Sequence, residues 1–102
     1  MDNNVFVFAK ITPKPEFYSD TKSALAGMLD ATRQEKGCIW FDLHSSEIEK
    51  HLYLYEEWQD RKYLDAHHEQ THTKSVASKL ESWLSEPTEV SLMNKIDAQV
   101  AL

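Results

Sequence analysis

The stretch "NVFVFAKIT" at residues 4–12 decides how the rest of the chain is interpreted. It is rich in Val, Ile and Phe and is closed by Pro13, which is typical of a β-strand. Successive side chains of a strand point to opposite faces, so both faces of this strand are apolar. One face carries Val5, Val7, Ala9 and Ile11, and the other carries Phe6 and Phe8.

The rest of the chain continues this strand in the order helix, strand, strand, helix, strand. A helix is predicted from Pro15 to Gly37, because apolar residues recur between them at helical spacing and glycine commonly follows a helix end. Asp60 is a suitable N-cap for the second helical segment. That segment is expected to break near residue 70, and Thr71 could cap a second piece that runs to about Trp83. Strands are predicted at 38–44, 51–58 and 88–96, and residues 97–102 form a predicted tail.

This β-α-β-β-α-β order predicts a ferredoxin-like split β-α-β sandwich of the α+β class. We expect a single domain over residues 1–102, with its core at about 4–96. Helices would cover one face of a four-stranded antiparallel sheet, and the other face would be an unusually apolar surface for a monomer. Packing against a second copy removes that surface, so we predict a homodimer joined through the sheet face. The aromatic residues expected there are Phe6, Phe8, Tyr53 and Tyr55.

Composition excludes several classes of function. The 102 residues carry a formal net charge of −6 and no stripe of Lys and Arg, so neither nucleic acid nor an anionic membrane is an expected partner. The single cysteine, Cys38, cannot form an internal disulfide, which fits a reducing compartment. The N-terminus lacks the positive charge of a signal peptide, and no segment approaches the ~20 apolar residues of a membrane span. We therefore predict a cytoplasmic location.

Three of the five histidines lie in "LDAHHEQTHTK", residues 64–74. His68 and His72 are four residues apart and could share a helix face, but zinc needs three or four such ligands, and no third is evident. His44 and His51, which flank the predicted hairpin, have the same deficiency. We therefore expect no metal site. Cys38 follows a helix end, where a thiol is not activated, so acid/base chemistry by histidine beside aromatic side chains remains.

Several motifs resemble those of the antibiotic biosynthesis monooxygenase (ABM) domain family. "EEW" at 56–58 followed by "LDAHHEQTH" at 64–72 resembles that family's E-x-W and L-x-A-H-x-x-x-x-H signature. "EKGCIWFDL" at 35–43 and "KLESWLSEPTEVSLMNKI" at 79–96 resemble two further stretches. The resemblance implies a dimeric α+β barrel with a pocket between the sheet and the helices of each subunit. The family includes quinol monooxygenase and the isomerase of the phosphorylated autoinducer-2 signal.

The resemblance also implies candidate site residues. His67 and His72 match the family's two histidines and are the expected catalytic residues, whereas His68 is expected to face solvent. The residues expected to line a substrate pocket are Trp58, Trp40, Glu56 and Tyr55. The implied function is monooxygenation of a small aromatic, phenolic or quinol-like substrate, with O2 as co-substrate and no metal or organic cofactor. His67 or His72 would be the base, and Trp58 and Trp40 would stack on the substrate ring.

Two alternatives remain open. The chain could be an isomerase or other acid/base enzyme acting on a small carbonyl compound of the autoinducer-2 phosphate type, with Lys74 or another cation binding phosphate. It could also be a non-catalytic dimeric module for small hydrophobic ligands. In a purely structural role, His67 and His72 would hydrogen-bond to the backbone where the two helical pieces meet. Haem cleavage is disfavoured, because Ala77 stands where the haem-degrading branch has a histidine.

Overall fold

The computed structural model describes residues 3–96, so the predicted tail lies outside the described residues. The strands are β1 (Val5–Ile11), β2 (Cys38–Ser46), β3 (His51–Trp58) and β4 (Glu89–Met93). The helices are α1 (Tyr18–Ala26), α2 (Leu29–Arg33), α3 (Arg61–His68) and α4 (Thr71–Trp83), and a 3-10 turn spans Pro15–Phe17. The strand order is β2-β3-β1-β4 with antiparallel neighbours, which confirms the ferredoxin-like prediction. Within residues 3–96, no helix is long and apolar enough to cross a bilayer.

The strand-face assignment for β1 is confirmed. Val5 pairs with Trp58 on β3, and Val7 pairs with Leu92 on β4, so β1 lies inside the sheet. The face toward the helices is buried because its apolar side chains pack against the apolar stripes of the helices. Its largest buried contributions come from Ile11, Phe41, Leu52 and Trp58 on the strands and from Leu25 and Leu64 on the helices.

The predicted long helix is broken into separate pieces. Gly27 lies between α1 and α2, and Met28 N–H donates to the carbonyl of Leu25 at 3.2 Å, a bond that tightens the chain away from α-helical spacing. Glycine is among the poorest helix formers, which explains the break at this position. The α2 helix then ends at Arg33. The prediction that Gly37 directly follows the helix end is therefore wrong, because Gly37 lies in the turn after α2.

Gly37 fixes that turn against α3. Its φ is +85°, a conformation that side-chain-bearing residues rarely adopt, and an added Cβ would lie 2.1 Å from Cγ of Tyr63. The N–H of Gln59 donates to the Gly37 carbonyl at 2.9 Å. The turn and the start of α3 are therefore held together, and Glu35, two residues earlier, is carried to the side of α3.

The break between α3 and α4 occurs at the expected position. Asp60 is the N-cap of α3 as predicted, and its Oδ1 accepts from the N–H of Lys62 at 3.0 Å. The prediction that Thr71 caps α4 is wrong, since Thr71 is the first residue of that helix. Gln70 occupies the N-cap position, and its side chain makes no capping hydrogen bond. The chain thus changes direction between His67 at the end of α3 and His72 in the first turn of α4.

Candidate functional site

One carboxylate joins the two predicted histidines. Glu35 accepts from Nδ1 of His67, with distances of 2.9 Å to Oε2 and 3.1 Å to Oε1. The same Oε2 lies 2.7 Å from Nε2 of His72. The three side chains come from the turn after α2, from α3 and from α4, so the cluster exists only when these elements have packed.

His67 is the most buried member of this cluster, with 3% of its surface exposed. Its ring lies 4.9 Å from that of Trp58 and 5.5 Å from that of Phe41, centroid to centroid. Burial lowers the pKa of His67, and the hydrogen bond to Glu35 opposes that shift. Because Nδ1–H donates to the carboxylate, the neutral ring carries its lone pair on Nε2, for which residues 3–96 offer no hydrogen-bond partner.

A cavity of about 160 Å³ lies between the sheet and the helices, in the position that the family resemblance implied. Apolar side chains dominate its wall, and His67 and Glu56 are among its few buried polar members. Part of the apolar wall is formed by Phe41, Leu54, Met28 and Val76. An engineered apolar cavity of about 150 Å³ accommodates benzene, so this volume suits one aromatic ring.

Glu56 presents a second titratable group to this cavity. It lies on β3, is 6% exposed, and accepts at Oε1 from the indole Nε1–H of Trp58 at 2.9 Å. Burial raises the pKa of Glu56 from 4.5 to about 7, the Trp58 hydrogen bond opposes this rise, and the charge of Glu35 adds to it. Near neutral pH the carboxyl is therefore present in both forms and can donate or accept a hydrogen bond.

The predicted site residues occupy different places. His67 and Glu56 line the cavity, whereas His72 reaches Glu35 from an outer groove and its side chain is 27% exposed. Trp58 is fully buried and is absent from the cavity wall, so it positions its neighbours instead of offering a stacking surface.

Trp40 and Tyr55 lie on the other face of the sheet. Trp40 pairs with Glu57 across β2 and β3, whereas the buried Phe41 and Glu56 face the helices. The prediction that Trp40 and Trp58 stack on one substrate ring is therefore wrong within a single chain, and Tyr55 is likewise remote from His67. A β-bulge between Cys38 and Trp40 interrupts the register at the start of β2.

Glu35 is the site residue that sequence reasoning missed. It begins the "EKGC" stretch, and Gly37, two residues later, was a usable signal of a turn, but 32 positions separate Glu35 from His67. The expectation of no metal site rested on the lack of a third ligand beside His68 and His72. The structure brings together a different set, Glu35, His67 and His72, whose donor atoms lie within 4.8 Å of one another. The structural alternative assumed that the side chains of His67 and His72 hydrogen-bond to the backbone. In the structure, both side chains hydrogen-bond to the carboxylate of Glu35 instead. His68 is exposed, as predicted.

Two other candidate groups take no part in this cluster's hydrogen bonding. Burial raises the pKa of the Cys38 thiol to about 11, and the charge of Glu35 adds to that shift, so the prediction of an unactivated thiol is confirmed. Lys74, the proposed phosphate ligand of the isomerase alternative, pairs with Glu69 at 3.2 Å on the surface. Neither group is a member of the cavity wall.

Comparison with known proteins identifies relatives along most of the chain. A family model described as "Antibiotic biosynthesis monooxygenase" matches residues 4–79, a range that includes Glu35, Glu56, His67 and His72. Rv0793 of Mycobacterium tuberculosis is 30% identical over 97 residues, which are 95% of this chain and 96% of that protein. Its structure aligns with a TM-score of 0.88 over 95% of this chain and 99% of that one. A conserved protein from Methanosarcina mazei Go1, 28% identical, aligns with a TM-score of 0.85 over 93% of this chain and 95% of that chain.

Proposed function

Because the chain belongs to the antibiotic biosynthesis monooxygenase family, we propose that it is a cofactor-independent monooxygenase of a small aromatic, phenolic or quinol-like substrate. The observation that carries this proposal is the position of His67 on the wall of an apolar cavity, with Nδ1 held by Glu35. A carboxylate that fixes one ring nitrogen as a donor leaves the other nitrogen free to accept a substrate proton.

The proposed reaction begins with transfer of a substrate hydroxyl proton to Nε2 of His67. The resulting anion is electron-rich, and the apolar wall removes the water that would otherwise stabilise its charge. A ring carbon of the anion then gives electrons to O2 and forms a C–O bond, and the His67 imidazolium returns its proton to the peroxide. Cleavage of the O–O bond releases water and leaves a carbonyl. For a hydroquinone, the sum is hydroquinone plus O2 to hydroxyquinone plus water.

Glu56 is the proposed contact for a second substrate oxygen. It shares the cavity wall with His67, and its carboxyl titrates near neutrality, so it can donate to a carbonyl or accept from a hydroxyl. The cavity volume favours one ring over a fused polycyclic substrate. No Lys or Arg of residues 3–96 belongs to its wall, which favours an uncharged substrate over the phosphorylated one of the isomerase alternative.

We also propose the homodimer that the strand pattern predicts. The uncovered face carries Phe8 and Tyr53, stacked at 5.6 Å, next to the exposed rings of Tyr55 and Trp40. Burial of such a face against a second copy gains free energy in proportion to its apolar area. The cavity lies on the opposite side of the sheet, so each subunit would have a site of its own. A cytoplasmic location remains part of the proposal, on the strength of the single cysteine.

Oxygen uptake with a panel of one-ring hydroquinones and phenols, measured in the presence of a chelator, tests the proposed function. We expect His67→Gln to lower kcat at least 100-fold, the usual contribution of a general base being about 10²–10⁴. His68→Gln is the matched comparison, because His68 also belongs to the cavity wall but is exposed and makes no hydrogen bond to Glu35. Absence of turnover with every ring substrate, or equal turnover in the His67 and His68 variants, would contradict the proposal.

A further inference from the structure

We propose that Glu35, His67 and His72 also form a binding site for one divalent first-row transition metal ion, and that the bound ion withdraws His67 from acid/base chemistry. Binding itself is independent of the proposed function. Only the consequence for turnover rests on that function.

The donor set carries the inference. Two imidazoles and one carboxylate, with their donor atoms within 4.8 Å of one another, are ligands that suit zinc and ferrous iron. The side chains of His67 and Glu35 are only 4% and 9% exposed, so the cluster differs from a chance group of surface acids. Each donor comes from a different element, and packing of those elements brings the three donors together.

The two distances that involve Glu35 require only a small adjustment, and the donor atoms of the two histidines lie within 4.8 Å of each other. Oε2 of Glu35 lies 2.9 Å from Nδ1 of His67 and 2.7 Å from Nε2 of His72. Tetrahedral zinc with bonds of about 2.0–2.1 Å separates its ligand atoms by about 3.4 Å, so these pairs must part by about half an ångström. His72 can supply this movement, because it lies in the first turn of α4, directly after the chain break, and is partly exposed.

An open groove gives access to the cluster from outside. Glu35 and His72 form part of its wall, and Lys36 and Tyr63 lie beside them. An ion that enters here meets the carboxylate on a chain whose formal net charge is −6, which favours approach of a cation. The groove also leaves room for water as a fourth ligand, the arrangement of an incompletely coordinated zinc site.

Metal binding would change the tautomer of His67. In the hydrogen-bonded cluster the ring proton is on Nδ1, and Nε2 has the lone pair. When Nδ1 binds the metal, the proton of the neutral ring moves to Nε2, so the nitrogen that would accept a substrate proton becomes a donor. No proton or electron is lost in this exchange. The ion would therefore act as a reversible inhibitor of the proposed oxygenase.

Calorimetric titration with Zn²⁺, together with the absorption spectrum of bound Co²⁺, tests the site. We expect one ion per chain in the wild type, with a Kd at least tenfold weaker in His72→Gln and in Glu35→Gln. His68→Gln is the matched control and should bind as the wild type does. Circular dichroism reports whether Glu35→Gln folds, and His72→Gln changes a partly exposed residue and remains decisive if the other variant unfolds.

Binding that is absent from the wild type, or equally strong in the wild type and His72→Gln, would overturn the proposal. A loss in His68→Gln as large as that in His72→Gln would also overturn it. Oxygen uptake separates the two proposals. If His67 is the base, Zn²⁺ should inhibit oxygen uptake in proportion to the fraction of chains that bind it. If turnover does not use His67, bound Zn²⁺ should leave oxygen uptake unchanged, which would overturn the inhibitory role. Saturable Zn²⁺ binding in a protein without turnover would support the metal site and refute the oxygenase. Stimulation by Fe²⁺ that requires His72 would support the site but refute both a cofactor-independent reaction and the inhibitory role.

Discussion

The indole of Trp58 lies against the imidazole of His67, with ring centroids 4.9 Å apart and ring planes inclined at 36°. The same indole donates its N–H to Glu56. One fully buried side chain therefore positions both titratable groups proposed to contact the substrate. Through these two contacts, a tryptophan outside the cavity wall would influence the proposed chemistry inside it.

Trp58→Phe is expected to reduce the free energy of unfolding by about 2–4 kcal/mol. The change leaves part of the indole volume empty and removes the hydrogen bond to a buried carboxyl, and each loss has a cost of this order. Chemical denaturation measures the effect. Trp83→Phe is the control, since Trp83 is only partly buried and stacks on Phe17 away from the cavity. Equal losses in the two variants would contradict the positioning role.

Glu56 predicts a specific dependence of stability on pH. Its pKa rises from 4.5 in the unfolded chain to about 7 in the folded one, so between these values only the folded chain retains the proton. Its stabilising contribution is therefore present at low pH and is lost as the pH rises through this window. Relative to Glu56→Gln, the wild type should lose about 2–3 kcal/mol of unfolding free energy between pH 5 and pH 8, each pKa unit being worth 1.36 kcal/mol. Urea denaturation at both pH values measures this difference, and parallel pH profiles of the two proteins would contradict the assignment.

The two glycines offer a matched pair of substitutions. Gly37→Ala places a Cβ 2.1 Å from Tyr63 at a φ of +85°, and we expect a loss of about 2–4 kcal/mol from backbone strain and overpacking. A Cβ added in Gly27→Ala meets only two carbonyl oxygens, at 3.3 and 3.5 Å, with a φ of −66°, so the variant should change stability by less than about 1 kcal/mol. Thermal unfolding of both variants measures the effects. Tolerance of alanine at position 37 would show that the turn does not need this conformation.

The exposed aromatic face predicts how the chain associates. Sedimentation equilibrium at micromolar concentration should give twice the 11.9 kDa mass of the chain. Phe8→Glu places a charge in the proposed interface and should convert the dimer to monomer. Ile48→Glu is the control, since Ile48 is 97% exposed in the hairpin turn. A monomeric wild type, or equal effects of both substitutions, would contradict the sheet-face dimer.

Residue patterns predicted the fold well and the site only in part. The alternation in β1 and β3, the order of elements and the Asp60 cap are local signals, and the structure confirms them. The position of Trp40 depends on a β-bulge, which adds one residue to β2 and is not visible in the pattern of apolar residues. Glu35 was missed because helix spacing relates only near neighbours, whereas its contact with His67 arises from tertiary packing. The turn at Gly37 brings the two residues together.

The shared carboxylate of Glu35 has a consequence for how this site is inherited. Because a single side chain partners two histidines from different helices, its loss removes the carboxylate from both imidazoles at once. Either histidine alone still retains the carboxylate. Among descendants of this gene, we expect replacement of Glu35 to be followed by replacement of both histidines. Replacement of His72 should more often leave Glu35 and His67 in place.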